Sequence, residues 1–334
     1  MSETYRIFGA EPSPYSVKVR SYMRYKGIPH KWIPRTTDVM EEFQRYARLP
    51  LIPCLVAPDN TAMQDSTPII EALEAQFPDP AILTGDPAAD FISALLEEYG
   101  DEWGNKHMFH YRWTYEEDQK ATAKWIAAET VADGNEEMRD GIEGMIMGRM
   151  PGRLWFVGSS EQTRDQIEGS FKRLLQRLED HLRNREYIFG GRPAMADFGI
   201  WPQLYQTSID PTPRKVMLSG FPAVLEYVDR MLFPEAIGEF EALDDLMPTL
   251  GPLLEDEVGG LFLPWSDANA RALAAEEESF TVALQGSDFS QKPQKYHARS
   301  LGALRAKYDA VSDKSSLDPI LERTGCLQWL KTKD

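Results

Sequence analysis

Apolar and polar positions alternate along Tyr5-Arg6-Ile7-Phe8, a period that predicts a strand. Gly9 to Pro12 supply a turn, and the period then changes. Tyr15, Val19, Tyr22 and Met23 recur at helical spacing, while Lys18, Arg24 and Lys26 are expected to point away from that face. Ser13 and Pro14 suit the N-cap and first helical position, and Gly27 suits the far end. His30 to Ile33 predict a second strand that Pro34 ends, and Asp38 to Arg48 a short, mostly polar helix. Pro53-Cys54-Leu55-Val56 predict a buried third strand. Pro58-Asp59-Asn60 turn into a short fourth strand, Thr61 to Met63, paired with the third, and Ile69 to Gln76 predict a helix ending before Phe77-Pro78.

After the prolines and glycine of residues 78–87 the pattern is helical. Ala88 to Thr114 carry Phe91, Leu95, Tyr99, Trp103 and His107 as a stripe, with Glu98, Asp101, Glu102 and Lys106 off it. Asp118 to Met150 read as further helix, rich in methionine. Glu161 to Leu182 read as an amphipathic helix bearing Ile167, Phe171, Leu174, Leu175, Leu178 and Leu182. Phe221-Pro222 to Phe233 predict another. Beyond residue 236, Phe240 to Leu254 are acidic with scattered leucines, Leu261 to Trp265 form an apolar cluster, and Ala268 to Glu277 predict a helix. Phe280 to Leu284 alternate like a strand; Tyr296 to Val311 and Leu317 to Leu330 predict two last helices.

A chain of 334 residues with 42% hydrophobic content has room for more than one domain and a sizeable core. Its net charge of −17 repels phosphate backbones and anionic lipid heads, which argues against nucleic acid or a membrane surface as partner. Two cysteines, Cys54 and Cys326, make neither a disulfide framework nor a zinc site, and His107 with His110 lack a third ligand, so no metal is expected. With no basic, apolar leader and no apolar run of about 20 residues, a cytoplasmic protein is expected.

Three short stretches carry candidate chemistry. At Ser13-Pro14-Tyr15-Ser16 a hydroxyl, free backbone N–H groups and the positive end of a helix dipole converge, a setting for an anion such as a thiolate. At Ile52-Pro53 a cis bond would leave the Ile52 N–H and C=O free for an extended peptide. At Asp65-Ser66 a carboxylate for an ammonium stands beside donors for a carboxylate, the two charges of an amino-acid head group. Each stretch taken alone reads first as a plain capped helix or buried strand.

Together, in this order and spacing, they resemble the glutathione transferase superfamily. Ser-Pro-Tyr-Ser is similar to the catalytic turn of its serine-type classes, Leu51-Ile52-Pro53-Cys54-Leu55 to its cis-proline segment, and Gln64-Asp65-Ser66-Thr67-Pro68-Ile69-Ile70 to the motif that holds the γ-glutamyl end of glutathione. Tyr187 to Phe198 resemble the segment that opens the buried helix of the family's helical domain. Ala194 stands where the family usually has Ser or Thr, so half of the capping box formed with Asp197 is missing.

The resemblance implies an α/β thioredoxin-like domain over residues 1–82, an all-α glutathione-transferase domain over 88–235, and an extension over 236–334 whose role stays open. It implies glutathione as co-substrate, bound by Ser13, Tyr15, Ile52, Pro53, Asp65 and Ser66. Ser13 is the favoured sulfur donor, with Ser16 and Tyr15 as alternatives. It places a small apolar electrophile, to which glutathione is transferred or which it reduces, in a pocket of Tyr15, Trp103, His107 and Tyr111, and it implies a homodimer. Ser-Pro-Tyr-Ser is also similar to the glutaredoxin turn with both sulfurs replaced by oxygen, which rules out dithiol exchange there. A non-catalytic glutathione- or ligand-binding protein of the same fold, and an assembly protein in which the extension matters most, are the rival readings.

Overall fold

In the computed structural model, which describes residues 4–131 and 134–331, the first alternation becomes β1 (Tyr5–Gly9) and the change of period α1 (Pro14–Tyr25). β2 (His30–Pro34), α2 (Met40–Tyr46), β3 (Cys54–Val56), β4 (Ala62–Gln64) and α3 (Ser66–Gln76) follow in the expected order. The sheet runs β2-β1-β3-β4, with β1 parallel to β2, antiparallel to β3, and β4 antiparallel to β3. α1 is the crossover that the parallel pair requires. Ile7 faces the cluster built by Val17, Val19, Tyr22 and Ile69, while Phe8 joins Ile33, Phe43, Cys54 and Val56 beneath α2. Both faces of the sheet are therefore covered.

Lys18 and Lys26 do not point to solvent as the helical wheel suggested. Both are buried, Lys18 against Glu97 and Asp101 and Lys26 against Glu74. α1 is packed all round because a second layer of helices lies on it.

That layer begins with α4 (Pro87–Tyr99), a π-helical turn at Gly100–Gly104, and α5 (Asn105–Thr114). The sequence predicts one helix here; the π turn inserts a change of phase. α6 (Glu116–Thr130) and α7 (Glu136–Arg149) replace the single stretch expected over 118–150. The Asn135 side chain accepts from the Met138 N–H and caps α7, while residues 132 and 133 lie outside the described residues. A 3-10 segment, Pro151–Val157, leads to α8 (Arg164–Leu182), α9 (Met195–Ile209), α10 (Pro211–Leu218) and α11 (Pro222–Arg230).

α9 crosses α4 at backbone contact. A Cβ on Gly199 would stand 2.5 Å from the Glu97 Cα, and one on Gly100 2.5 Å from the Gly199 carbonyl carbon.

At the start of α9 the Asp197 N–H, which a hydroxyl at position 194 would accept, donates instead to the Ala194 carbonyl at 3.1 Å. Asp197 accepts from the Ala194 N–H at 2.8 Å and from the Ile188 N–H at 3.0 Å, so its second partner comes from the preceding loop. Burial nevertheless pushes the Asp197 carboxyl up to about 7, against the pull of those N–H groups. A carboxyl whose pKa is higher folded than unfolded stabilises the fold less as pH rises through the folded value. Between pH 6.5 and 8.5 the wild-type protein is therefore expected to lose on the order of 1 kcal/mol of stability from this group. In Asp197→Asn that part of the pH slope vanishes, as denaturation at the two pH values will show.

The remaining chain forms α12 (Leu243–Leu253), a π-helical stretch Leu254–Phe262, α13 (Leu263–Ala274), the hairpin β5 (Phe280–Leu284) and β6 (Ser287–Gln291), α14 (Lys295–Ala310), α15 (Leu317–Arg323) and α16 (Leu327–Leu330). Gln285 and Gly286 both have positive φ, as the two-residue hairpin turn requires. These elements join the main core: Trp265 meets Trp103 edge to face and Tyr308 meets Phe91. The buried Lys106 ammonium sits 3.8 Å from the Trp265 ring centroid and donates to the Val157 carbonyl and Gln291 Oε1. No described helix is long and apolar enough to cross a membrane.

Candidate active site

The first turn is built by a serine at a helix start and a glycine that lets the chain close. Ser13, in extended conformation, caps α1. Its Oγ accepts from the Ser16 N–H at 3.3 Å and from the Ser16 hydroxyl at 3.0 Å. Ser16 is fully buried and its proton is committed to Ser13. The Ser13 proton meets no protein acceptor among the described residues, and Ser13 is only half-buried. A Cβ on Gly9 would fall 2.5 Å from the Trp32 ring and 3.0 Å from the Ser16 Cβ, so the approach of β1 to this pair needs a glycine.

Helices of the second layer clamp the turn. Arg112 donates to the Pro12 carbonyl at 3.1 Å and is held by Asp210 at 2.9 Å; Gln206 donates to the Glu11 carbonyl at 2.8 Å. Glu11 itself takes Arg20 and the Tyr205 hydroxyl. Burial opposes its charge, but Arg20 outweighs burial and holds its pKa below the usual carboxylate range.

The Ile52–Pro53 peptide is cis, and the Ile52 N–H and C=O carry no hydrogen bond among the described residues. Gln64 holds the loop before it, donating to the carbonyls of Leu49 and Leu51. Asp65 stands at the start of α3 with φ of 82°, a left-handed conformation, and Ser66 is buried behind it. Burial pushes the Asp65 carboxyl up, with Lys18 working in the other direction.

Beneath α3 lies a group of charges that the sequence reading missed. The Lys18 ammonium reaches Glu97 at 2.5 Å, Asp101 at 2.6 Å and the Thr67 hydroxyl at 3.0 Å. Burial opposes the charge on Lys18, but Asp101 and Glu97 hold its pKa above the usual lysine value. Burial, with Glu97 adding to it, pushes Asp101 up to about 8 despite the lysine. Tyr15 donates to the Asp101 carbonyl at 3.0 Å, which ties α1 to the π turn.

Above α3, α14 comes back from the far end of the chain. The Tyr296 hydroxyl lies 3.4 Å from both Asp65 carboxylate oxygens. His297 pairs with Glu102, and Ser300 donates to Glu98. A cavity of about 250 Å³ separates these elements.

Ser13, Tyr15, Ile52, Pro53, Asp65 and Ser66 therefore stand on three connections and helix starts at one end of the sheet. Trp103, His107 and Tyr111 are placed elsewhere. Trp103 donates to Ser170 on α8 and packs on Trp265 and Phe289; His107 Nε2 lies 2.9 Å from the same Ser170 Oγ; Tyr111 packs on Phe171. All three are buried in the helical core, facing α8 and the C-terminal elements, while Asp101 and Arg112 face the turn. The periodic stripe marked a core face, and a core face is where these residues lie.

The family model for the glutathione S-transferase N-terminal domain matches residues 7–81, and that for the glutathione S-transferase C-terminal domain matches residues 161–230. The isoprene-epoxide–glutathione S-transferase of Rhodococcus sp. strain AD45 is 24% identical over 227 residues, 66% of this chain and 91% of that protein. A glutathione S-transferase from Methylobacterium radiotolerans, solved with glutathione sulfonate, is 20% identical and covers 72% of this chain and 97% of its own, with a TM-score of 0.44. The β-etherase LigF from a Sphingobium strain is 18% identical, covers 68% and 94%, and has a TM-score of 0.48.

Proposed function

The chain belongs to the glutathione S-transferase superfamily, and from that premise we propose that it is a serine-type transferase that ionises bound glutathione and passes its sulfur to a small apolar electrophile. The observation that carries the proposal is the Ser13–Ser16 pair. Ser16 donates to Ser13 from a buried position, which leaves the Ser13 proton for the sulfur and makes Ser13 the better donor. Ile52 offers its backbone to the cysteinyl residue, and Asp65 with Ser66 receives the γ-glutamyl head group.

The magnitudes suffice without a general base. A free thiol has a pKa of about 8.5. Lowering it by about two units takes about 2.7 kcal/mol. One hydrogen bond to a charged group supplies about 1.5–3 kcal/mol, and the dipole of α1 adds up to about 1 kcal/mol. The thiolate then attacks carbon, forming a C–S bond. With an epoxide, the class named for the Rhodococcus relative, the C–O bond breaks and the oxygen takes a proton from water. The electrophile is expected beside the Ser13 turn, next to Tyr15, while Trp103, His107 and Tyr111 lie buried in the helical core away from it. On this reading the protein is also a cytoplasmic homodimer, with units at 1–82, 88–235 and 236–334.

Thiolate absorbance of glutathione titrated on the protein tests the proposal. A bound thiol pKa of about 6.5 is expected. Absence of binding in calorimetry, or a bound thiol that titrates like the free one, overturns it.

A further inference from the structure

The extension places a tyrosine at the γ-glutamyl end of the site, where the π turn already presents Asp101. Tyr296 comes from α14, more than two hundred residues beyond Asp65, yet its hydroxyl bisects the Asp65 carboxylate. α14 is pinned there by His297 on Glu102 and Ser300 on Glu98. The cavity between them is lined by Asp65, Glu98, Asp101 and Glu102, and by two cations: Arg299, beside the Tyr296 ring, and Lys307, paired with Glu71. Within this lining, the Asp101 side chain is 8% exposed and its Oδ1 has no hydrogen-bond partner among the described residues. A carboxylate accepts at two oxygens and a phenol oxygen accepts as well as donates, so the cavity offers several acceptors to one cation with three protons.

Resting on the glutathione reading above, we propose that α14 belongs to the substrate site: Tyr296 and Asp65 together receive the α-ammonium of the γ-glutamyl group, so the C-terminal extension completes the site of its own chain. Tyr296 keeps its proton on one Asp65 oxygen and accepts from the ammonium, which takes the other oxygen. Asp101 Oδ1, which has no partner among the described residues, lies in the same lining.

Calorimetry on the full-length protein tests this with two ligands: glutathione, and the analogue whose γ-glutamyl amino group is replaced by hydrogen. Tyr296→Phe is expected to bind glutathione about tenfold more weakly than wild type, the size of one hydrogen bond to a charged group. The analogue is expected to bind both proteins alike. Ser300→Ala, which removes the bond from α14 to Glu98 at the edge of the cavity, is expected to show the same selective loss in smaller measure. If the wild type binds no glutathione, the reading of the site itself fails. If it binds, and Tyr296→Phe binds glutathione as tightly or more tightly, or loses the analogue equally, the role of Tyr296 is overturned.

Discussion

Ser13→Ala is expected to raise the pKa of bound glutathione by one to two units and to lower kcat/KM for conjugation by roughly ten- to a hundredfold. The substitution removes the one hydroxyl proton of the turn that has no protein acceptor among the described residues. A hydrogen bond to a charged group is worth about 1.5–3 kcal/mol, and each 1.4 kcal/mol is about tenfold. The backbone of α1 persists, because an alanine N-cap costs only about 1 kcal/mol. Ser16→Ala takes away a neutral hydrogen bond behind the donor, worth about 1 kcal/mol, so a loss of only severalfold is expected. Spectroscopic titration of the bound thiol separates the two variants. Equal pKa values in wild type and Ser13→Ala remove Ser13 from the mechanism, and a larger effect at Ser16 transfers the role to it.

Lys18→Met is expected to be the most damaging single change to the fold. It leaves Glu97 and Asp101 buried with no cation and takes the donor from Thr67 at the start of α3. Removing one partner of a buried pair costs about 3–5 kcal/mol, a large share of the 5–15 kcal/mol that holds a typical domain together. Denaturant unfolding will measure the loss; a shift below about 1 kcal/mol would show that the two acids simply keep protons. Because Lys18 ties α1 to α3 and α4, the same variant is expected to weaken glutathione binding through the loosened start of α3.

What the sequence made legible follows from how local each signal is. The turn at Ser13, the cis proline after Ile52 and the helix start at Asp65 are marked by residues within a few positions of each other, and all fall at one end of the sheet. Lys18 was misread because a helical wheel assumes one wet face, and α1 has none once α4 and α9 lie on it. Its burial had one trace in the sequence: Glu97, Glu98, Asp101 and Glu102 follow one another on a segment that is otherwise core. Trp103, His107 and Tyr111 were assigned to a pocket although their spacing marked the same face as Phe91 and Leu95; the spacing was the better guide. The break between α6 and α7 left only Gly134 and Asn135 as signals. β6 was missed because Ser287-Asp288-Phe289-Ser290-Gln291 carries one apolar residue, and its pairing with β5 does the rest. The contact of Tyr296 with Asp65 has no local signature at all, since it joins positions far apart in the chain.

The two cysteines bear on how such an enzyme would survive its own substrates. Cys54 follows the cis proline on β3 and Cys326 sits in the C-terminal core; both are fully buried, and burial pushes their thiols up to about 11 and about 12. At neutral pH neither supplies thiolate, the form that reacts with electrophiles. If glutathione binds as proposed, an electrophile that enters the protein meets one activated sulfur, that of the guest tripeptide, and the protein's own thiols are spared alkylation.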